Sequence, residues 1–489
     1  MNYSQFLNMI PEATLVLALI IVFCADFALH KSQRKTFTLG VLTGALLLCQ
    51  LVACFMAGPA EAFGGIYQST PIANVMKVIL TAGTFIVVVM SQAWLESDSQ
   101  IVDGKSVNGK YSGEYYMLLL STLLGMYMML SSGSFLMFFL GLEMASVPMA
   151  CLVAFDKKKK DSAESAAKYV LLATFSSGVM LFGMSFIYAA TGTFYFDDVA
   201  ATITATPLSI MGMVFFFSGL GFKISLVPFH FWTADTYQGA PTPVTGYLSV
   251  VSKGAATLTL AIILVKVFGS MVAWWQPMLW IVIMLTITVG NLMAIRQTEL
   301  KRFMAFSSIS QAGYIMLAVI GADPAASQTA LTYYVLVYIV ANMSVFSVIS
   351  AVEHRAGGGT QISAYNGLYQ TNPKLAFIMT IALFSLGGIP PFAGMFSKFF
   401  VFMAGVNGQD QAPFWPYFVV FIALINTVVS LYYYLLIVKA MYITKEENPL
   451  PTFAHGRAIN ASLTICTIGI LLFGVCSCIY QWIANAAAM

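Results

Sequence analysis

An all-α, polytopic membrane protein of about fourteen transmembrane helices is the fold class this sequence predicts, on three observations. Of its 489 residues 59% are apolar and only 9% are charged, against roughly 25% charged in soluble proteins. About fourteen apolar runs recur along the chain, each of the roughly 20 residues that cross a hydrocarbon core as a helix. Runs this long can satisfy their own backbone in lipid only as helices. A soluble enzyme is excluded. A net charge of +3 on scattered lysines gives no footprint for nucleic acid, and 17 prolines and 37 glycines without a period exclude fibrous and disordered classes.

In order, the runs centre near Leu19, Leu48, Phe85, Leu124, Pro148, Leu181, Phe217, Thr257, Leu285, Met316, Val340, Phe392, Ala423 and Leu471. No basic residue precedes the first, and Lys31, Arg34 and Lys35 follow it. That is the reverse of a secretory signal, so it stays as the first helix. Seventeen of the 23 basic residues fall in odd-numbered loops: Lys31, Arg34, Lys35, Lys105, Lys110, Lys157 to Lys160, Arg296, Lys301, Arg302, Arg355, Lys374, Lys439, Lys445 and Arg457. Even loops hold none, but one holds Asp197 and Asp198. The odd loops are therefore cytoplasmic and both termini lie outside. All seven tryptophans fall near helix ends, as an interfacial belt would place them. The seven cysteines (Cys24, Cys49, Cys54, Cys151, Cys466, Cys476, Cys478) sit mostly inside apolar runs and read as packing residues, without a metal cage or disulfide framework.

Loop parity exposes a candidate repeat. Residues 1–115 supply three leading helices; 116–268 hold five that begin inside; 269–441 hold five that begin outside; 442–489 carry a loop and the last helix. Equivalent five-helix units would be inverted, an architecture that places transport sites near the midplane. Each unit has a proline-broken helix, at Pro228 in the seventh run and at Gly387-Gly388-Ile389-Pro390-Pro391 in the twelfth. Carbonyls freed by such breaks must face protein or water.

Six lysines lie in or at the ends of helices. Lys77 and Lys266 are near enough to the outer interface to snorkel. Lys168 opens the sixth helix four residues after Glu164, spaced for a local pair or a secondary role in the site. Glu143, Lys223, Lys253 and Lys398 lie well inside apolar runs. At roughly 2.5 to 3.5 kcal/mol each, four such groups would cost on the order of 10 to 14 kcal/mol if they only packed, so function is the better account. Dryness weakens an amine's hold on its proton and an acidic neighbour strengthens it; a row of them titrates as a coupled set. The four read as a proton relay, with Glu143, the deepest acid, paired to Lys223.

Three segments resemble a known family. They are Phe384-Ser-Leu-Gly-Gly-Ile-Pro-Pro-Phe-Ala-Gly-Met-Phe-Ser-Lys398, His230-Phe-Trp-Thr-Ala-Asp-Thr-Tyr-Gln-Gly-Ala-Pro-Thr-Pro-Val244 with Ser252-Lys253 after it, and Arg296-Gln-Thr-Glu-Leu-Lys-Arg-Phe-Met-Ala-Phe-Ser-Ser-Ile-Ser-Gln-Ala-Gly-Tyr314. Together they resemble the antiporter-like membrane subunits of bacterial NADH:quinone oxidoreductase, respiratory complex I, over about residues 114 to 441. The resemblance implies a fourteen-helix subunit in the inner membrane that carries protons, with coupling to quinone reduction indirect. Glu143 matches the fifth-helix glutamate, Lys223 the seventh-helix lysine, Lys253 the central eighth-helix lysine and Lys398 the twelfth-helix lysine toward the exit. It implies no cofactor or metal in this chain, flavin and iron-sulfur clusters in partner chains, and as partners a neighbouring antiporter-like subunit, small membrane subunits and the bilayer. Lysine at 398, where subunit M carries glutamate, and an end at Met489 without the lateral helix of subunit L fit the subunit N group best.

Ala234, Ser397 and Gln311 depart from the family pattern, at places where proline, glycine and histidine are common; glutamine bonds but does not titrate. The histidines, His30, His230, His354 and His455, are in or beside cytoplasmic loops, too far apart for a metal site. His230 is a candidate guard of proton entry. Among Tyr432, Tyr433 and Tyr434, Tyr433 is a secondary candidate on the path near Lys398. Glu12 and Asp26 border the first helix and are expected to stay solvated. The alternatives are a subunit of a multi-chain sodium/proton antiporter, a related complex with another electron donor, and a passive scaffold in which neutral replacements of the lysines are tolerated.

Overall fold

The computed structural model describes the chain apart from residues 1–2, 30–31, 33, 98, 103–104, 109–110, 356–358, 407–413, 447–448 and 455. His30, Lys31, Lys110 and His455 lie outside the described residues. Each apolar run is a helix: α1 (Ile10–Ala28), α2 (Lys35–Met56), α3 (Pro71–Ser97), α4 (Ser112–Leu130), α5 (Phe135–Val153), α6 (Lys160–Thr191), α7 (Pro207–Ile224), α8 (Thr242–Lys266), α9 (Val272–Ile295), α10 (Leu300–Leu317), α11 (Pro324–Arg355), α12 in two halves (Pro373–Gly387 and Ala393–Val406), α13 (Phe414–Tyr442) and α14 (Arg457–Val475). A terminal helix, α15 (Ser477–Ala488), follows. Two short antiparallel hairpins lie between spans, Ala60–Ala62 with Tyr67–Ser69 and Ser99–Val102 with Lys105–Asn108. The protein is all-α and crosses the membrane many times.

Local chemistry sets the ends. Ser134 caps α5 by accepting from the Met137 N–H, and Thr206 caps α7 by accepting from the Ser209 N–H, with Pro207 in the first turn. At the other end, Gly192 closes α6 with φ 77°, Ser225 closes α7 with φ 70°, and Gly388 closes the first half of α12 with φ 84°. The two broken spans therefore stop on left-handed residues just before their prolines. α6 begins at Lys160, so Lys168 lies two turns inside it rather than at its start.

Burial grades from the centre outward. α10 is covered along its length and α8 and α11 nearly so, whereas little more than a quarter of α1 or α6 is covered. α4 and α5 approach closely at Gly125 and Gly141: a Cβ at 125 would lie 2.4 Å from the Ala145 nitrogen, and one at 141 would lie 2.7 Å from the Met129 nitrogen. Small residues give dispersion contact without bulk between apolar helices. Trp232 and Trp275 turn inward and donate to the carbonyls of Phe222 and Phe268, which also accept the backbone N–H groups of Ser225 and Met271; only part of the tryptophan set faces outward. Four cysteines, Cys24, Cys49, Cys151 and Cys478, are exposed on the apolar rim, while Cys54 and Cys466 are buried.

Three expectations about charge are overturned. Lys77 does not snorkel; it is fully buried and pairs with Glu12 at 2.8 Å, so Glu12 is not solvated either. The hairpin strand Tyr67–Ser69 covers the pair, with Tyr67 donating to Glu12 and Lys77 donating to Ser69. Asp26 is held at 2.7 Å by Lys35 across the α1–α2 turn. Lys266, by contrast, remains part-exposed at the C-terminal end of α8 and pairs with Asp197 at 2.7 Å.

Candidate functional site

Three of the buried amines mark three stations, while Lys301, also buried, donates to the Ala240 carbonyl at 2.9 Å from the start of α10. Lys223 is in the last turn of α7, where the left-handed Ser225 ends the helix. Its ammonium donates to Ser146 Oγ of α5 at 2.9 Å and to the Tyr169 hydroxyl of α6 at 3.4 Å. Glu143 stands one turn before Ser146 and acts on Lys223 electrostatically, but no ion pair joins them among the described residues. The expected direct pair is thus replaced by Ser146, because i and i+3 share one helix face and the serine is the nearer of the two. One Glu143 carboxylate oxygen is left without a partner among the described residues.

Lys253 follows a π-helical turn, Leu248–Ser252, in the middle of α8. Such turns shift the helix register and gather at functional sites. The ammonium donates to Ser308 Oγ of α10 at 2.8 Å and lies 5.4 Å from the centre of the Tyr237 ring. Ser308 in turn donates to the Ser249 carbonyl, and Asn342 of α11 donates to Ser249 Oγ.

Lys398, in the second half of α12, reaches back to the end of the first half and donates to the Gly387 carbonyl at 3.2 Å, with the Tyr314 ring 4.9 Å away. The negative end of a helix dipole favours a cation there. Gly394 permits the fold-back, since a Cβ at that position would lie 1.6 Å from the Ser385 carbonyl oxygen. A small cavity beside Lys398, with room for about one water, is lined by Gln311, Tyr334, Tyr338, Ser385 and Ser397 among others.

α10 connects the second and third stations. Ser307 bonds the Tyr434 hydroxyl, Gln311 donates to Tyr434 at 3.2 Å and to the Leu386 carbonyl at 3.3 Å, and the Gln311 carbonyl oxygen accepts from Tyr334. Tyr433 is buried and donates to Asn291 at 2.9 Å; Tyr432 is exposed and lines nothing here. Lys168 stays part-exposed between Glu164 at 2.8 Å and Asp235 at 2.9 Å, apart from the buried amines. Asp235 also takes Arg302 at 2.6 Å. Partial burial raises the Asp235 carboxyl, but Lys168 and Arg302 more than offset this and hold it below its ordinary range. His230 sits in the link after α7, half-buried and stacked on Phe231, with no bond to Lys223, Lys253 or Lys398 among the described residues.

The hydroxyl residues around these amines and the cavity, Ser146, Tyr169, Tyr237, Ser308, Tyr334 and Tyr338, were not singled out from sequence. The one available signal was Ser307-Ser308-Ile309-Ser310-Gln311 inside an apolar run, which places polar groups in a helix that the fold buries completely.

Residues 132–430 match the family model described as NADH:quinone oxidoreductase/Mrp antiporter, transmembrane. A curated relative, NADH-quinone oxidoreductase subunit N of Phocaeicola vulgatus, is 53% identical over 489 residues, all of both chains. Among solved structures, a chain of respiratory complex I from Thermus thermophilus with bound aureothin is 28% identical with TM-score 0.73, covering 95% of this chain and 97% of that one. A chain of the Mrp complex from Dietzia sp. DQ12-45-1b, 19% identical with TM-score 0.82 and covering 100% of this chain and 97% of that one, shares the fold. With buried lysines at the breaks of its spans, and with this likeness along its whole length, the chain belongs to the NADH:quinone oxidoreductase/Mrp antiporter membrane family, in its subunit N group.

Proposed function

We propose that this chain is a proton-translocating subunit in the membrane arm of an NADH:quinone oxidoreductase, coupled indirectly to quinone reduction, and that Glu143, Lys223, Lys253 and Lys398 are its relay. The observation that carries the reading is that Lys223, Lys253 and Lys398, unlike the buried Lys77, each face a hydroxyl or a freed carbonyl rather than a carboxylate. A buried amine locked to a carboxylate would be a structural pair; one facing neutral groups can give up and retake its proton without leaving a second charge stranded. Full-length identity of 53% to a subunit N favours this reading over a sodium/proton antiporter subunit, for which the Mrp likeness supports the fold alone.

Under this reading the two five-helix units, α4 to α8 and α9 to α13, are inverted copies, each broken at one span, and the protein sits in the bacterial inner membrane with both termini periplasmic. Its partners are a neighbouring antiporter-like subunit and small membrane subunits, and flavin and iron-sulfur chemistry belongs to other chains of the complex. The test is NADH-driven proton uptake by vesicles holding the complex with Lys223→Met or Lys398→Met, assembly being checked by native gel. Both variants should assemble and lose this chain's share of pumping. Wild-type pumping by both would overturn the reading.

A further inference from the structure

The bonds described above leave a gap between Lys253 and Lys398. On the Lys253 side, Ser308 accepts from the ammonium and is also bonded to the Tyr237 hydroxyl at 3.3 Å. On the Lys398 side, the cavity is lined by Gln311, whose amide nitrogen is already committed to Tyr434 and Leu386 and whose carbonyl oxygen is committed to Tyr334. An amide so held cannot pass a proton on, since it neither titrates nor turns without breaking three bonds. One side chain reaches both sides. Tyr338 of α11 lines the Lys398 cavity and stands one turn before Asn342, which bonds Ser249, the residue whose carbonyl accepts from Ser308. The residue is only 4% exposed, yet this hydroxyl has no hydrogen-bond partner among the described residues. Buried hydroxyls are nearly always bonded, and leaving one unmade costs roughly 1–3 kcal/mol.

We propose that the cavity beside Lys398 binds one water, and that Tyr338 carries the proton between Ser308 and that water. This rests on the relay reading and supplies its missing link. In the step toward the exit, Ser308 turns its hydrogen from the Ser249 carbonyl to the Tyr338 oxygen as it takes a proton from the Lys253 ammonium. Tyr338 gives its own hydrogen to the water, and the water gives one of its hydrogens to the neutral Lys398 amine. One proton moves; Lys253 ends neutral, Lys398 ends charged, and Ser308, Tyr338 and the water regain their starting composition. Gln311 and Tyr334 shape the cavity without entering the chain.

The experiment compares Tyr338→Phe, Ser308→Ala, the double variant and Lys398→Met in the assembled complex, reading proton uptake into vesicles against quinone reduction. Tyr338→Phe keeps the ring and removes only the hydroxyl. Ser308→Ala removes the other end of the link, should the first variant fail to assemble. Each single variant should lose pumping to the level of Lys398→Met, and the double should lose no more, because groups in one series path are not additive. Lys398→Met defective with Tyr338→Phe at wild-type level overturns this inference and leaves the relay standing. Single losses that add in the double variant also overturn it. Lys398→Met at wild-type level overturns the relay reading itself.

Discussion

Lys77 and Lys398 are both buried amines, and their neighbours separate them. Lys77 has a carboxylate at 2.8 Å, backed by Tyr67 and Ser69; Lys398 has a carbonyl and an aromatic face. The first arrangement is a fixed ion pair. Removing one member strands the other's charge, which costs roughly 3–5 kcal/mol, whereas removing both is close to neutral. Glu12→Gln and Lys77→Met should each lower the melting temperature of the detergent-solubilised protein clearly, and the double variant should recover most of the loss; equal loss in the double would refute the pairing. At the protein surface, Asp235 is held below the ordinary carboxylate range of about 3.9 by Lys168 and Arg302. A depressed carboxyl contributes stability that is fully present above its unfolded value and is lost as pH falls through its folded one. Asp235→Asn should therefore be less resistant to heat than the parent at neutral pH, and the difference should close only in acid below the usual carboxylate range. What the sequence could show at this scale was charge out of place: Lys223, Lys253 and Lys398 stand inside apolar runs. The Glu12–Lys77 pair was not legible, because each residue lies near a span end where solvation is the default and their partnership crosses a loop.

Helices were legible from length and hydropathy, and the breaks in α7 and α12 from proline and glycine. Hydroxyls were not. Most serines and threonines in membrane spans bond their own helix, as Thr81 and Thr84 do to the carbonyls four residues back. Nothing in the residue type tells Ser308, which faces Lys253, from those. Close packing was equally hidden, since Gly125 and Gly141 become informative only once α4 and α5 are set against one another. Gly125→Val should force the two apart, because even its Cβ would meet the Ala145 backbone at 2.4 Å. Overpacking of this kind costs roughly 1–3 kcal/mol. As α5 also carries Glu143 and Ser146, the variant should show both a lower yield of folded protein by size-exclusion chromatography and weaker proton uptake. Normal values of both would show that the contact is slack.

At the scale of the whole molecule, α8, α10 and α11 form an almost wholly covered interior, and α1, α2, α6, α13 and α14 form a rim largely open to surroundings. The covered helices hold Lys253, Ser308, Gln311 and Tyr338, away from lipid. The open ones carry rows of large apolar side chains, such as Phe175 and Phe182 on α6 and Phe421 and Val428 on α13, the kind of surface that lipid or a neighbouring apolar helix can cover. The hairpin Ala60–Ala62 with Tyr67–Ser69 ties α1 and α3 to α8 and the segment before α7. Along Tyr67, Gln68 and Ser69 the side chains alternate in direction: Tyr67 and Ser69 grip the Glu12–Lys77 pair, while Gln68 holds Asp197 and Lys266 at 2.8 Å each. Three consecutive residues thus stitch together two ion pairs from distant parts of the chain, a seam that opposes any sliding of α1 and α3 past α8.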